Sequence, residues 1–233
     1  MSETTDKYMN ELKEWLLETA DQNLEEMSGF FTARIEGYEE HMSIWKKSYE
    51  RFAKLLPQGC EKILDLGCGT GLELDEIYKI YPDISVTGVD LCQSMLDKLA
   101  KKYINPPKMI CMDYFKYDMG IEKWDAIISF ESLHHFLPEK KKMLYQTIYH
   151  ALKQGTVFLL GDYVAYCIEE EELLHKVYFE KRMKFQIPDE QFVHFDIPLT
   201  LKHEKELLYS VGFSDIQVCD DMEEAMIIIA KKK

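Results

Sequence analysis

The chain has 233 residues, 46% of them hydrophobic and 30% charged, a globular composition with enough chain to bury a core without disulfides or a structural metal. Lys and Arg total 28 against 42 Asp and Glu, a net charge of −14; that field repels phosphate backbones and anionic lipid, so nucleic acid and membrane surfaces are not expected partners. Cys60, Cys68, Cys92, Cys111, Cys167 and Cys219 form no C-x-x-C pair and no zinc-finger spacing, which fits reduced thiols in a cytoplasm. Acidic and basic residues interrupt any signal-peptide core in the first 30 positions, and the longest aliphatic run, 225–230, is of strand length rather than the ~20 residues of a membrane span.

Over residues 6–27, Tyr8, Leu12, Trp15, Leu16 and Leu24 recur mostly at three- and four-residue steps, the spacing of one apolar helix face. Ser28-Gly29 punctuates this helix. Tyr38, Met42, Trp45, Tyr49, Phe52 and Leu56 mark a second one, stopped by Pro57-Gln58-Gly59. Residues 1–56 therefore read as a helical N-terminal cap on a core at 57–233.

After Gly59, short apolar runs at 62–66, 84–89, 109–112, 126–130 and 156–160 alternate with helical segments at 72–81, 93–103 and 139–152, plus a shorter helical turn at 116–121. Continuous apolar runs suit strands covered on both faces. Their alternation with helices predicts a parallel, doubly wound α/β sheet with right-handed crossovers. The tail departs from this rhythm: a charged helix over 169–184 is followed by an aromatic-rich stretch, and 165–199 reads as an inserted lid. Thr200 can cap a helix running to Val211, with Gly212 ending it. Runs at 216–219 and 225–230, joined by the acidic loop 220–224, then pair as an antiparallel hairpin.

Ile63-Leu64-Asp65-Leu66-Gly67-Cys68-Gly69-Thr70-Gly71 carries a strand into three alternate glycines and then a helix. Such a turn needs positive φ, and the missing Cβ atoms let a ligand press on the backbone. The dinucleotide fingerprint G-x-G-x-x-G is not met, because position 72 is Leu. Asp90 ends the second strand 19 residues after Gly71 (90 − 71), near where doubly wound proteins set an acid on ribose hydroxyls; capping the next helix is its other reading.

Four motifs occur in order over about residues 60–162: Leu64 to Gly71; Gly88-Val89-Asp90-Leu91 followed by Met95-Leu96; Cys111-Met112-Asp113-Tyr114; and Trp124-Asp125-Ala126-Ile127-Ile128-Ser129 leading into Leu133-His134-His135-Phe136. In these the chain resembles a class I S-adenosylmethionine-dependent methyltransferase of the small-molecule, ubiquinone/menaquinone type. The resemblance implies a Rossmann-like, seven-stranded, mostly parallel sheet with an antiparallel last strand, S-adenosyl-L-methionine as cofactor and a small-molecule acceptor. It further implies that Gly67, Gly69 and Gly71 cradle the cofactor's amino-acid end and that Asp65 reaches its ammonium group. Asp90 would take the ribose hydroxyls and Asp113 the adenine amino group, with Leu91 and Tyr114 flanking the ring and Phe130 and Glu131 lining the methionine portion. The cofactor is a phosphate-free cation at sulfur, which suits a loop with no Lys or Arg between Lys62 and Lys79.

Methyl transfer is an in-line displacement, and alignment alone is worth effective molarities of roughly 10⁵ to 10⁸ M. Where the acceptor must shed a proton, His134 or His135 is the candidate base, with loop packing as the alternative for each. His194, His203, Tyr166, Phe179, Phe185, Phe192 and Phe195 either line an acceptor pocket or fill the lid's core. Phe31, Tyr38 and Trp45 either roof the cofactor, with cation–π attraction to the sulfonium, or pack on the sheet. Asn105-Pro106-Pro107-Lys108 reads as a loop and Glu169 to Glu172 as a solvated helix start; no metal is read from the sequence. Rival readings are a non-methylating or inactive adenosylmethionine-binding protein and a nicotinamide-dependent oxidoreductase, and a homodimer is left open.

Overall fold

The computed structural model describes residues 3–219 and 225–233. The N-terminal cap divides more finely than its apolar periodicity suggests, into α1 (Glu3–Glu18), α2 (Met27–Ala33), α3 (Tyr38–Met42) and α4 (Lys46–Lys54). The first break has a local cause: Glu26 turns its carboxylate onto the N–H groups of Ser28 and Gly29 at 3.0 and 2.7 Å, which starts a new helix where the spacing ran on. A single turn of 3₁₀ helix at Ser43–Trp45 divides the second predicted helix.

The core follows as β1 (Lys62–Leu66), α5 (Leu72–Ile80), β2 (Ser85–Asp90), α6 (Gln93–Lys102), β3 (Lys108–Cys111), β4 (Trp124–Phe130), α7 (Pro138–Ala151), β5 (Leu152–Asp162), α8 (Ile168–Lys184), α9 (Leu201–Ser210), β6 (Ser214–Cys219) and β7 (Met226–Lys231). These strands form one seven-stranded sheet in the order β3-β2-β1-β4-β5-β7-β6. Neighbours from β3 to β5 are parallel, and β7 runs antiparallel to both β5 and β6. The hairpin thus pairs as its sequence predicts; its loop, 220–224, lies outside the described residues. The helical turn expected at 116–121 does not form. Asp113 and Asp118 bend the chain there by accepting the N–H groups of Phe115 and Gly120, both at 2.9 Å, and Trp124 donates its indole N–H to the Met119 carbonyl.

Alternate strand residues feed two cores. Ile63, Ala126, Ile128 and Leu159 pack under α4, α5 and α6, whereas Leu64, Ile127, Phe158 and Ile228 pack under α7 and α9. A third cluster joins Leu16 and Leu24 to Leu174 and Tyr178 of α8 and to Val193, Phe195 and Ile197. The N-terminal helices and the 165–199 segment therefore share a core, and both reach the residues that follow β1 and β4 at the carboxyl end of the sheet. Among the described residues no helix is long and apolar enough to cross a membrane.

Candidate active site

The strand order reverses between β1 and β4, and a sheet that reverses there leaves a crevice at its carboxyl ends. Gly67, Gly69, Asp90, Leu91, Asp113, Tyr114, Phe130 and Glu131 line that crevice together. Its free volume is 80 Å³, against 660 Å³ for the cavity next to it, and Phe31, Tyr38, Glu131 and His135 line both.

The glycine loop is held by its own N–H groups. Gly67 donates to Val89 O at 2.8 Å, Gly71 to Cys68 O at 2.8 Å and Gly69 to Asp90 Oδ2 at 2.9 Å. A phosphate-binding loop leaves such donors pointing at its ligand; this one engages them within the protein. The glycines also differ in purpose. A Cβ on Gly67 would meet Ser132 Oγ at 2.2 Å and one on Gly71 would meet Leu99 Cδ1 at 2.5 Å, so close packing demands both. Gly69, at φ +47°, faces open space with Tyr38 Oη as its nearest neighbour, 3.8 Å from a Cβ.

Asp90 faces the crevice and also fixes the turn ahead of α6, where Oδ1 accepts the N–H of Cys92, the residue that precedes the helix, at 2.7 Å. Burial raises its pKa despite the bonds from Cys92 and Gly69. Asp113 Oδ1 accepts from Phe115 N at 2.9 Å, and Tyr114 Oη lies 3.2 Å from Ser132 Oγ. Glu131 sits at φ +49°, a left-handed conformation that costs a non-glycine residue, and its Oε1 is buried without a hydrogen-bond partner. Burial pushes its pKa up to about 8, the nearby His134 opposing and Asp162 and Asp196 adding to the rise.

Asp65 and Gly71 stand apart from the lining. Asp65 is fully buried beneath the loop, neither oxygen hydrogen-bonded. Burial and the facing Glu73 carboxylate raise its pKa well above the usual range, and burial takes Glu73 to about 7. In the sequence Glu73 reads only as one more acid in the first turn of a helix.

His134 and His135 form a buried 3₁₀ turn after β4. His134 Nδ1 lies 2.6 Å from Asp162 Oδ1 at the end of β5. Burial alone would lower its pKa, but the Asp162 charge and hydrogen bond carry it to about 9. His135 moves the other way, through burial and the charge of His134. His194 stacks on Phe30 with 3.5 Å between ring centres, and burial with His135 brings its pKa down to about 3. Of the other tail candidates, Phe192 lines the crevice, while Phe195 packs in the third core. His203 is 2.7 Å from Glu171, and Tyr166 and Phe179 are exposed, so these three do not contribute to either cavity. Phe31, Tyr38 and Trp45 all line the larger cavity. Asp196, an unmarked acid in the aromatic-rich segment, reaches both histidines: its Oδ1 is 3.5 Å from His134 Nε2 and 3.2 Å from His135 Nδ1.

Residues 63–155 match a family model described as a methyltransferase domain. Over those residues the chain carries a methyltransferase domain. Its cofactor is S-adenosylmethionine, and the crevice fits that group: carboxylates face a cation, one of their oxygens lacks a partner, and Gly69 leaves the floor clear. A carboxy-S-adenosyl-L-methionine synthase of Nautilia profundicola is 28% identical over 172 residues, covering 68% of this chain and 71% of that protein. The enzyme of the same name from Campylobacter fetus is 27% identical over 169 residues, covering 67% and 70%. Human N-acetylserotonin methyltransferase, solved in complex with SAM, shares the fold at a TM-score of 0.64 and 20% identity. That match covers 93% of this chain and 65% of the human one, so the methyltransferase spans less than two thirds of that protein's length.

Proposed function

We propose that this methyltransferase moves the methyl group of S-adenosylmethionine onto a small molecule held in the 660 Å³ cavity beside the cofactor crevice. One observation carries the proposal: the two spaces share Phe31, Tyr38, Glu131 and His135, so an acceptor in one abuts the methionine end of a cofactor in the other. When bound, the cofactor supplies a methyl group on a sulfonium whose sulfur leaves neutral. Asp90 then takes the ribose hydroxyls on the lone pairs left free by Gly69 and Cys92, and Asp113 faces the adenine between Leu91 and Tyr114. Gly67 and Gly69 lie under the amino-acid end, and Asp65 acts from beneath the loop. Phe30, Phe31, Tyr38 and Trp45 give the acceptor cavity aromatic walls, which favours a planar, partly apolar acceptor. Its reacting hydroxyl or amine sits at the junction, where Glu131 and His135 are within reach of its proton.

The test is acceptor-dependent release of adenosylhomocysteine from a panel of small aromatic hydroxyl and amine compounds. Cofactor binding without release from any of them would overturn the proposal. The names of the curated relatives favour a second reading, formation of a carboxylated cofactor. The charges at the junction weigh against it: the crevice presents Asp90, Asp113 and Glu131, and Arg34 in the adjoining cavity is held by both oxygens of Glu25 at 2.6 and 3.1 Å. An added carboxylate would face repulsion there. Mass analysis of the cofactor after incubation separates the two. The six cysteines are unpaired, which supports a reducing cytoplasmic setting for this chemistry.

A further inference from the structure

Three carboxylate oxygens crowd the histidine turn without hydrogen-bond partners: Asp196 Oδ1, Asp162 Oδ2 and Glu131 Oε1, each buried. A protonated imidazole shared between acids is the ordinary explanation of such a cluster, and Asp162 with His134 Nδ1, at 2.6 Å, fits it. Asp196 does not. Its Oδ1 lies 3.2 and 3.5 Å from His135 Nδ1 and His134 Nε2, yet neither contact has hydrogen-bond geometry and the oxygen is left unpaired. The three atoms lie within 4.8 Å of one another.

These distances describe something else well. Zinc–nitrogen and zinc–oxygen bonds of about 2.0 to 2.2 Å place neighbouring ligand atoms of a tetrahedron about 3.3 Å apart, and the two Asp196 edges, at 3.2 and 3.5 Å, bracket that value. A metal-bound histidine turns its other ring nitrogen to a carboxylate, which fixes the tautomer. His134 does so toward Asp162. We propose that His134 Nε2, His135 Nδ1 and Asp196 Oδ1 form a three-ligand site for a divalent late transition-metal ion of the zinc type, oriented by Asp162 and open toward the acceptor cavity. All three ligands line that cavity, and two imidazoles with one carboxylate select such an ion over magnesium or calcium. His135 Nδ1 has one alternative partner, the Phe195 carbonyl, at a longer 3.4 Å. The role of the ion rests on the methyl-transfer proposal: it would bind the acceptor's oxygen and lower that oxygen's pKa, leaving Glu131 to take the proton.

The experiment needs no acceptor and no turnover, so its result stands whatever becomes of the methyl-transfer proposal. Chelator-treated full-length protein is titrated with zinc chloride by calorimetry and with cobalt chloride by visible absorption. One equivalent is expected, with the intense bands of tetrahedral cobalt. Asp196→Ala should weaken binding at least ~100-fold, and Asp162→Asn about 10- to 100-fold, both with thermal melts that show a folded protein. Glu172→Gln, on the exposed face of α8, should bind as wild type. Absence of stoichiometric binding, or an unchanged cobalt spectrum in folded Asp196→Ala, overturns the site.

Discussion

Asp90 Oδ2 accepts the Gly69 N–H at 2.9 Å while its other oxygen accepts from Cys92 N at 2.7 Å. One side chain thus ties the glycine loop to the start of α6 and still faces the cofactor. Removing it should harm binding twice, by losing ribose acceptors and by freeing a loop donor; each hydrogen bond to a charged group is worth roughly 1.5 to 3 kcal/mol. Asp90→Ala should raise the dissociation constant for adenosylhomocysteine about 10- to 100-fold by calorimetry and also lower the melting temperature. Unchanged affinity would remove the ribose role.

The Asp65 and Glu73 pair sets a pH dependence of the cofactor-free protein. Burial, then mutual repulsion, raises Asp65 well above 3.8, and burial carries Glu73 from 4.5 to about 7. An acid whose folded pKa lies above its unfolded value favours folding when protonated, so the contribution is complete below the unfolded values and is lost as pH rises through the folded ones. Asp65→Asn removes the charge without changing the shape. The stability of this variant relative to wild type should therefore increase between about pH 5 and pH 7.5, as read by urea unfolding. A difference independent of pH would count against the buried pair.

The crevice was legible because its parts are local. The apolar run of β1, the alternate glycines and the acids at the ends of β2 and β3 each follow from a few adjacent residues, and they come together because parallel strands share one carboxyl edge. The hairpin was legible for the same reason. What the sequence hid depends on docking: Glu73 meets Asp65 only once α5 lies on the sheet, and Asp196 meets the histidines only once the inserted segment folds back. The break between α1 and α2 was hidden too, because the Glu26 cap competes with helical periodicity that continues through it.

Phe31 and Tyr38 line both cavities while the crevice itself holds only 80 Å³ of free space. Cofactor entry is expected to open α2 and α3 outward and its binding to close them, since both contribute to the lining. Hydrogen exchange over residues 27–42 should slow on addition of adenosylhomocysteine, with little change in the strands β5 and β7. Phe31→Ala should speed ligand release more than it slows capture, since the ring contributes only after closure. Identical exchange in the presence and absence of ligand would refute a moving roof.

Lys141 on α7, 1% exposed, donates to Glu204 Oε2 on α9, and Tyr145 donates its hydroxyl to Glu204 Oε1. The three groups fasten the two helices that cover one face of the sheet, and none of them lines either cavity. Lys141→Ala leaves the Glu204 charge buried without its cation, a change that typically costs about 3 to 5 kcal/mol. Adding Glu204→Leu removes that stranded charge and leaves only the Tyr145 hydroxyl unpartnered, a loss of about 1 to 3 kcal/mol. The double variant should therefore unfold at a higher urea concentration than Lys141→Ala alone. A single variant as stable as wild type would mean that water reaches Glu204, and that the α7–α9 contact is held by Tyr145 and Leu208 packing instead.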